Sequence, residues 1–118
     1  MASPARPSAP AATSAASAAE IVAGLTEGIE AAERETGVRT ALVCDIDRSY
    51  GPIAAVELAE DLATLRRDGK ADRVIGLGMD STERGVDPAD FAPAYEVARV
   101  AGLRFTGHAG EDTGPENI

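Results

Sequence analysis

Three short apolar runs, separated by stretches of helical periodicity, limit what this chain can fold into. The runs cover 39–44, 74–77 and 103–107, and their starts lie about 30 residues apart, the length of one strand-and-helix unit. The first two runs do not alternate apolar with polar residues, which is typical of strands buried on both faces of a parallel sheet. The sequence therefore predicts an α/β fold with parallel strands and right-handed crossovers.

The segments between these runs, and the one before the first, are predicted to be amphipathic helices. They run from about 18 to a stop at Gly37, over 53–67 to a stop at Asp68-Gly69, and from Asp87-Pro88 to Gly102. In the third helix the Asp87 side chain is expected to cap the first turn, where a proline is tolerated. About three strands and three helices are thus expected.

The first nineteen residues and the charge balance restrict domain organisation and partners. Residues 1–19 carry no large apolar side chain after Met1, so we expect a disordered Ala/Ser/Pro-rich tail followed by one domain over 20–118. The net charge of −9 opposes binding to nucleic acid and to anionic membranes. With one cysteine, no apolar run long enough to cross a bilayer and no signal peptide, the expected location is the cytoplasm.

Polar residues follow each predicted strand at the point where the strand ends. Because the carboxyl ends of parallel strands meet at one edge, where α/β folds bind ligands, we expect these side chains to gather. For any one of them alone, a solvated loop residue is the simpler interpretation, and a lone histidine is more often structural than a metal ligand. The residues are Asp45, Asp47 and Arg48 after the first strand, Asp80, Ser81 and Glu83 after the second, and His108 and Glu111 after the third.

The segment Thr106–Glu111 (TGHAGE) resembles the HAGE motif of the adenosine and adenine deaminase family. Two further segments are similar in the same order: Ala41–Arg48 to the third strand of that family, and Val74–Glu83 to its fourth strand and substrate loop, especially the GLDSSE form of the adenine deaminase branch. The resemblance covers about 38–118. It implies part of a (β/α)8 barrel of the metal-dependent amidohydrolase superfamily, holding about strands three to five.

The resemblance also implies a reaction and its residues. His108 would be a zinc ligand, and Glu111 would be the acid that protonates the purine ring. Gly78, Asp80 and Ser81 would bind the substrate. The reaction would be hydrolytic deamination of a 6-aminopurine such as adenine or adenosine, in which zinc lowers the pKa of its bound water to about 7. The DSTE segment that begins at Asp80 favours adenine or a modified purine base over adenosine.

The chain departs from the family pattern in its histidines and its strand number. His108 is the only histidine, whereas the family has an HxH pair and a further catalytic histidine, and a catalytic zinc takes about three protein ligands. We therefore expect a fragment of the enzyme that binds zinc weakly, if at all. Three strands of a barrel leave two open edges, through which self-association or pairing with another chain is expected.

Two other interpretations stay open at this point. The chain could be a non-catalytic remnant that folds as a small α/β module and binds a partner or a purine. Alternatively, Asp45–Ser49 (DIDRS) resembles the DxDx[TS] nucleophile loop of haloacid-dehalogenase-type phosphatases. Against the phosphatase, that loop should open the fold rather than follow a long helix, and the later lysine near a strand end is missing.

Overall fold

A computed structural model describes residues 15–118, which form three parallel strands and three α-helices in the predicted alternating order. The strand order is β1-β2-β3, so each helical crossover joins two neighbouring strands. The predicted α/β class and the parallel arrangement of the strands are confirmed. The elements are α1 (Ala18–Thr36), β1 (Leu42–Asp47), α2 (Gly51–Arg67), β2 (Val74–Asp80), α3 (Ala92–Val100) and β3 (Arg104–Phe105).

Helix α1 has both ends set by local capping. Ser17 and Glu20 form a capping box at its start, and Gly37 ends it in the left-handed conformation, with φ 73°. The predicted stop at Gly37 is confirmed. The helix begins two residues before the predicted domain boundary, and the part of the predicted tail before residue 15 lies outside the described residues.

Helix α3 starts later than its sequence pattern predicts. Asp87 does cap a turn, since its side chain accepts a hydrogen bond from the Ala89 amide, but that turn is the 3-10 turn Pro88–Phe91. The α-helix begins only at Ala92. A helix running from residue 88 would place Pro93 in its interior, where proline lacks a hydrogen bond and its ring clashes with the preceding turn; in the first turn of a new helix it is tolerated.

Strand β1 lies three residues further along the chain than predicted, and it is not buried on both faces. Val43 is 46% exposed and Asp45 is also exposed, whereas Ile46 is buried. The physical reason is that the buried residues of all three helices form one cluster with the strands, so the helices cover a single face of the sheet. The other face carries Val43 together with Gly76 and Gly78.

Strand β3 has two ladder residues instead of the predicted five, but its backbone continues to follow β2. The Thr106 amide donates to the Leu77 carbonyl at 3.1 Å, and the His108 amide donates to the Met79 carbonyl at 2.9 Å. This extension fixes the backbone of His108 at the carboxyl end of the sheet. Within residues 15–118, no helix is long and apolar enough to cross a membrane.

Candidate functional site

His108 and Glu111 lie together at the carboxyl ends of the strands. The Nδ1 atom of His108 is 3.3 Å from Oε2 of Glu111, and the two side chains are 59% and 73% exposed. Gly110 has a φ of 69°, and this left-handed residue lets the loop fold back so that position 111 returns to position 108. The predicted pair is therefore brought together in a position that a ligand can reach.

Arg48 joins the loops that follow all three strands. Its side chain is buried, with 4% exposed. Its Nη1 donates to the carbonyl of Ser81 at 2.8 Å, and its Nη2 donates to the carbonyl of His108. The predicted gathering of strand-end residues is confirmed for these three, although the contacts run through backbone carbonyls.

Ser81 has a φ of 71°, and it is the one non-glycine residue with positive φ in the described part of the chain. The left-handed conformation costs a residue with a side chain about 1–2 kcal/mol. The hydrogen bond from Arg48 to its carbonyl supports this conformation. Backbone strain of this kind concentrates at functional sites in proteins.

Glu83 is a buried carboxylate that holds the loop after β3. It is 5% exposed and accepts hydrogen bonds from the amides of Gly110, Glu111 and Asp112 at 2.9, 2.8 and 3.1 Å, and from the Thr113 hydroxyl at 2.8 Å. These bonds, the Asp112 amide first among them, lower the pKa of Glu83 to about 2. Glu83 is therefore an ionised, internal acceptor at neutral pH.

Asp45 and Asp80 lie close together on the open face of the sheet. Asp45 pairs with Gly78 in the β1–β2 register, and a Cβ at position 78 would overlap the Asp45 carboxylate and lie 3.1 Å from Cγ2 of Thr106. Loss of solvation raises the pKa of Asp45, and the charge of Asp80 adds to this, while His108 opposes it. Gly78 and Asp80 thus border the region of His108.

The small pocket beside His108 does not include the predicted substrate-binding residues. A pocket of about 110 Å³ lies between the loops, lined by residues that include Arg48, Glu83, His108 and Asn117. Pockets that enclose drug-sized ligands measure about 300–1,000 Å³. Gly78, Asp80 and Ser81 do not line this pocket, so their substrate-binding role stays a prediction.

The metal prediction is tested by the number of donors near His108. Within residues 15–118, no group of three or more His, Cys, Asp or Glu side chains is arranged to hold a metal ion. The described residues therefore offer His108 as one possible ligand and do not complete a catalytic zinc site, which takes about three protein ligands.

Comparison with known proteins decides the family. The adenosine deaminase family model matches residues 5–118. The chain belongs to the adenosine deaminase family. The match begins inside the segment predicted to be a tail and includes all three strands.

Curated relatives and a solved structure agree with this membership. The chain is 39% identical over 97 residues to an adenine deaminase from Agrobacterium fabrum and 37% identical over 98 residues to one from Rhodospirillum rubrum, covering 82% and 83% of this chain. A crystal structure of an amidohydrolase from Burkholderia ambifaria with bound Zn is similar with a TM-score of 0.74 and 35% identity, over 86% of this chain. The chain spans 29%, 28% and 27% of the lengths of these three proteins.

These findings confirm a partial (β/α)8 barrel of a deaminase-type hydrolase family. They do not favour the phosphatase alternative. In the structure, Asp47 accepts hydrogen bonds from the amide and the hydroxyl of Ser49 at 2.9 and 2.6 Å, which lower the pKa of Asp47. Asp47 therefore caps the turn after β1 and is engaged locally.

The sequence analysis gave no specific role to Arg48 or Glu83, two residues that hold the loops of the site in the structure. Arg48 and Glu83 were included among the strand-end polar residues, but neither was predicted to organise the site. The available signal was their position, since each follows the end of a strand. Their partners lie 27 to 60 residues away in sequence, beyond what spacing can indicate.

Proposed function

We propose that this chain is part of an enzyme that hydrolytically deaminates a 6-aminopurine, to which it contributes a zinc ligand, His108, and a proton donor, Glu111. The observation that carries the proposal is the 3.3 Å approach of His108 Nδ1 to Glu111 Oε2 at the edge where the three strands end. The relatives named adenine deaminase support adenine rather than adenosine as the substrate. The cytoplasm stays the predicted location.

Zinc fits His108 as a single ligand only. Imidazole nitrogen is a preferred zinc donor, and the exposed side chain of His108 is accessible to a metal ion. Because residues 15–118 do not supply two further ligands around it, we expect weak zinc binding by this chain alone. The structure with bound Zn from Burkholderia ambifaria supports zinc as the metal of the family.

The other residues have roles that their positions suggest. Replacing the amine at C6 of a purine requires a proton at the ring as the carbon becomes tetrahedral, and Glu111 is the carboxyl group beside His108. Gly78 has no side chain, which lets the Asp45 carboxylate lie against β2, and in this proposal its backbone borders the purine beside that carboxylate. Asp80 and Ser81 follow at the end of the same strand and would bind the ring edge.

An assay of ammonia release from adenine and from adenosine, with zinc present, tests this proposal. If the chain is active by itself, it releases ammonia from adenine, and His108→Ala and Glu111→Gln each abolish that release. Asp112→Asn is a matched control, because Asp112 lies in the same loop but its carboxylate pairs with Arg84 at 3.0 Å. No release by the unmodified chain at high concentration would reject independent activity.

One observation favours the non-catalytic alternative. The incomplete donor set around His108 is what a remnant that no longer holds a metal would show. Calorimetric titration with zinc and with adenine separates the two proposals. Heat from zinc binding that disappears in His108→Ala favours the proposal that the chain is part of an enzyme. The absence of binding heat in both titrations favours the non-catalytic remnant.

We further propose that the chain self-associates through its sheet. Val43 and Ile75 are 46% and 47% exposed, and β1 and β3 are the edges of the three-stranded sheet. Unpaired edges and exposed apolar side chains favour pairing with another chain. Sedimentation at several concentrations tests this, and a monomer at all of them would contradict it.

A further inference from the structure

The loop that carries Glu111 is organised around a carboxylate from another part of the chain. Glu83 follows β2, yet its two oxygens accept from four consecutive residues, 110–113, in the loop after β3. Oε1 accepts from the amides of Glu111 and Asp112, and Oε2 accepts from the Gly110 amide and the Thr113 hydroxyl. Hydrogen bonds to a charged acceptor are about twice as strong as those between neutral groups.

This arrangement determines where the side chain of Glu111 points. Three successive amides can converge on one carboxylate only if the loop wraps around it, and the left-handed Gly110 permits that turn. The amide of Glu111 is itself one of the donors, so its Cα is anchored next to Glu83. With its backbone held in this way, the Glu111 carboxylate reaches His108.

We propose that Glu83 is a positioning residue that sets the orientation of Glu111 relative to His108. Calling this pair catalytic rests on the proposed function, whereas the ordering of the loop by Glu83 rests on the contacts alone. Glu83 touches neither the purine nor the metal in this scheme. It acts through the backbone of residues 110–112.

Glu83→Gln distinguishes positioning from simple packing, since glutamine has almost the same shape. The amide nitrogen of glutamine is best placed at the Oε2 position, where the Thr113 hydroxyl can accept a hydrogen bond from it. At that position it faces the Gly110 N–H, so this bond is lost, while Glu111 and Asp112 keep their acceptor. If Glu83 only filled space, all three amides would be unaffected.

Amide hydrogen exchange of the full chain, followed residue by residue by NMR, tests the proposal. In Glu83→Gln we expect the protection of Gly110 to fall by about tenfold or more, the effect of losing one hydrogen bond to a charged group, with smaller losses at Glu111 and Asp112. Glu83→Ala should lose protection at all three. Glu60→Gln, an exposed carboxylate change on α2, is the control and should change none.

Unchanged protection of Gly110 in Glu83→Gln would overturn the proposal, and this arm does not depend on Glu83→Ala remaining folded. The second arm is the deamination assay, where kcat of Glu83→Gln should fall by about tenfold to a hundredfold with KM nearly unchanged. Loss of protection with an unchanged kcat would also overturn it. If the unmodified chain releases no ammonia, independent activity fails, and hydrogen exchange still decides the role of Glu83.

Discussion

Replacing Arg48 with methionine tests whether one buried guanidinium holds the three strand ends together. Arg48 is 4% exposed, and its two hydrogen bonds go to the carbonyls of Ser81 and His108, in the loops after β2 and β3. Methionine preserves much of the side-chain length and removes both donors. The loops after β2 and β3 would then lose both of these links to the residue that follows β1.

The magnitude follows from two opposing terms. Each hydrogen bond from a charged donor contributes about 1.5–3 kcal/mol, so the two bonds set an upper limit of about 3–6 kcal/mol. The loss is reduced because methionine removes the cost of burying a guanidinium, and because Ser81 and His108 are exposed residues whose carbonyls can bind water. We expect a net loss of about 2–3 kcal/mol for Arg48→Met, and about half that for Arg48→Lys, whose single ammonium cannot span both carbonyls.

Urea unfolding followed by circular dichroism measures this loss. For a small domain with a slope of about 1 kcal/mol per molar urea, the midpoint of Arg48→Met should fall by about 2 M. If the unmodified chain is less stable than the loss, the variant will lack helical signal even without urea. Arg67→Met, at the exposed end of α2, should stay within about 0.5 kcal/mol of the unmodified chain. A midpoint for Arg48→Met equal to that of Arg67→Met would refute the role given to Arg48.

Three further predictions concern carboxylates. Glu33→Gln should lower the urea midpoint, and more so at low salt, because both Glu33 oxygens lie 2.6 Å from Arg73 nitrogens; equal midpoints at low salt would contradict this. Gly78→Ala should push the Asp45 carboxylate aside, so that the pKa of Asp45, measured by NMR, falls towards its ordinary value; an unchanged pKa would show that Asp45 had not moved. Because the pKa of Glu83 is lowered from 4.5 to about 2, its contribution to stability is full above pH 4.5 and is lost as the pH falls towards 2. The stability of Glu83→Gln should therefore change less than that of the unmodified chain between pH 4.5 and 2. Identical acid-unfolding profiles for the two proteins would contradict this prediction.

The end of α1 and the alternation of strands with helices could be predicted because they depend on residues that lie close together in the sequence. Gly37 ends α1 through its own backbone conformation. The start of α3 was missed because Pro93 interrupts a helix that Asp87 and Pro88 would otherwise begin. The burial of β1 was predicted wrongly because an apolar run cannot indicate that helices cover only one face of the sheet.

The sequence predicted which side chains belong to the candidate site, but it did not predict the hydrogen bonds that hold the loops of the site in place. The motif around His108 and Glu111 indicated that the two would meet, and they do. The contributions of Arg48 and Glu83 could not be predicted, because their hydrogen bonds go mainly to backbone atoms of residues far away in sequence. Backbone partners leave no complementary residue type in the sequence.

Zinc titration of the isotope-labelled chain, followed through the side-chain resonances of His108, tests most directly whether this histidine is a metal ligand beside Glu111. The predicted result is a saturable shift of the His108 imidazole resonances at weak affinity, accompanied by shifts of the amides of residues 107–111. Zinc that perturbs other parts of the chain while the His108 resonances stay unchanged would contradict the proposed site.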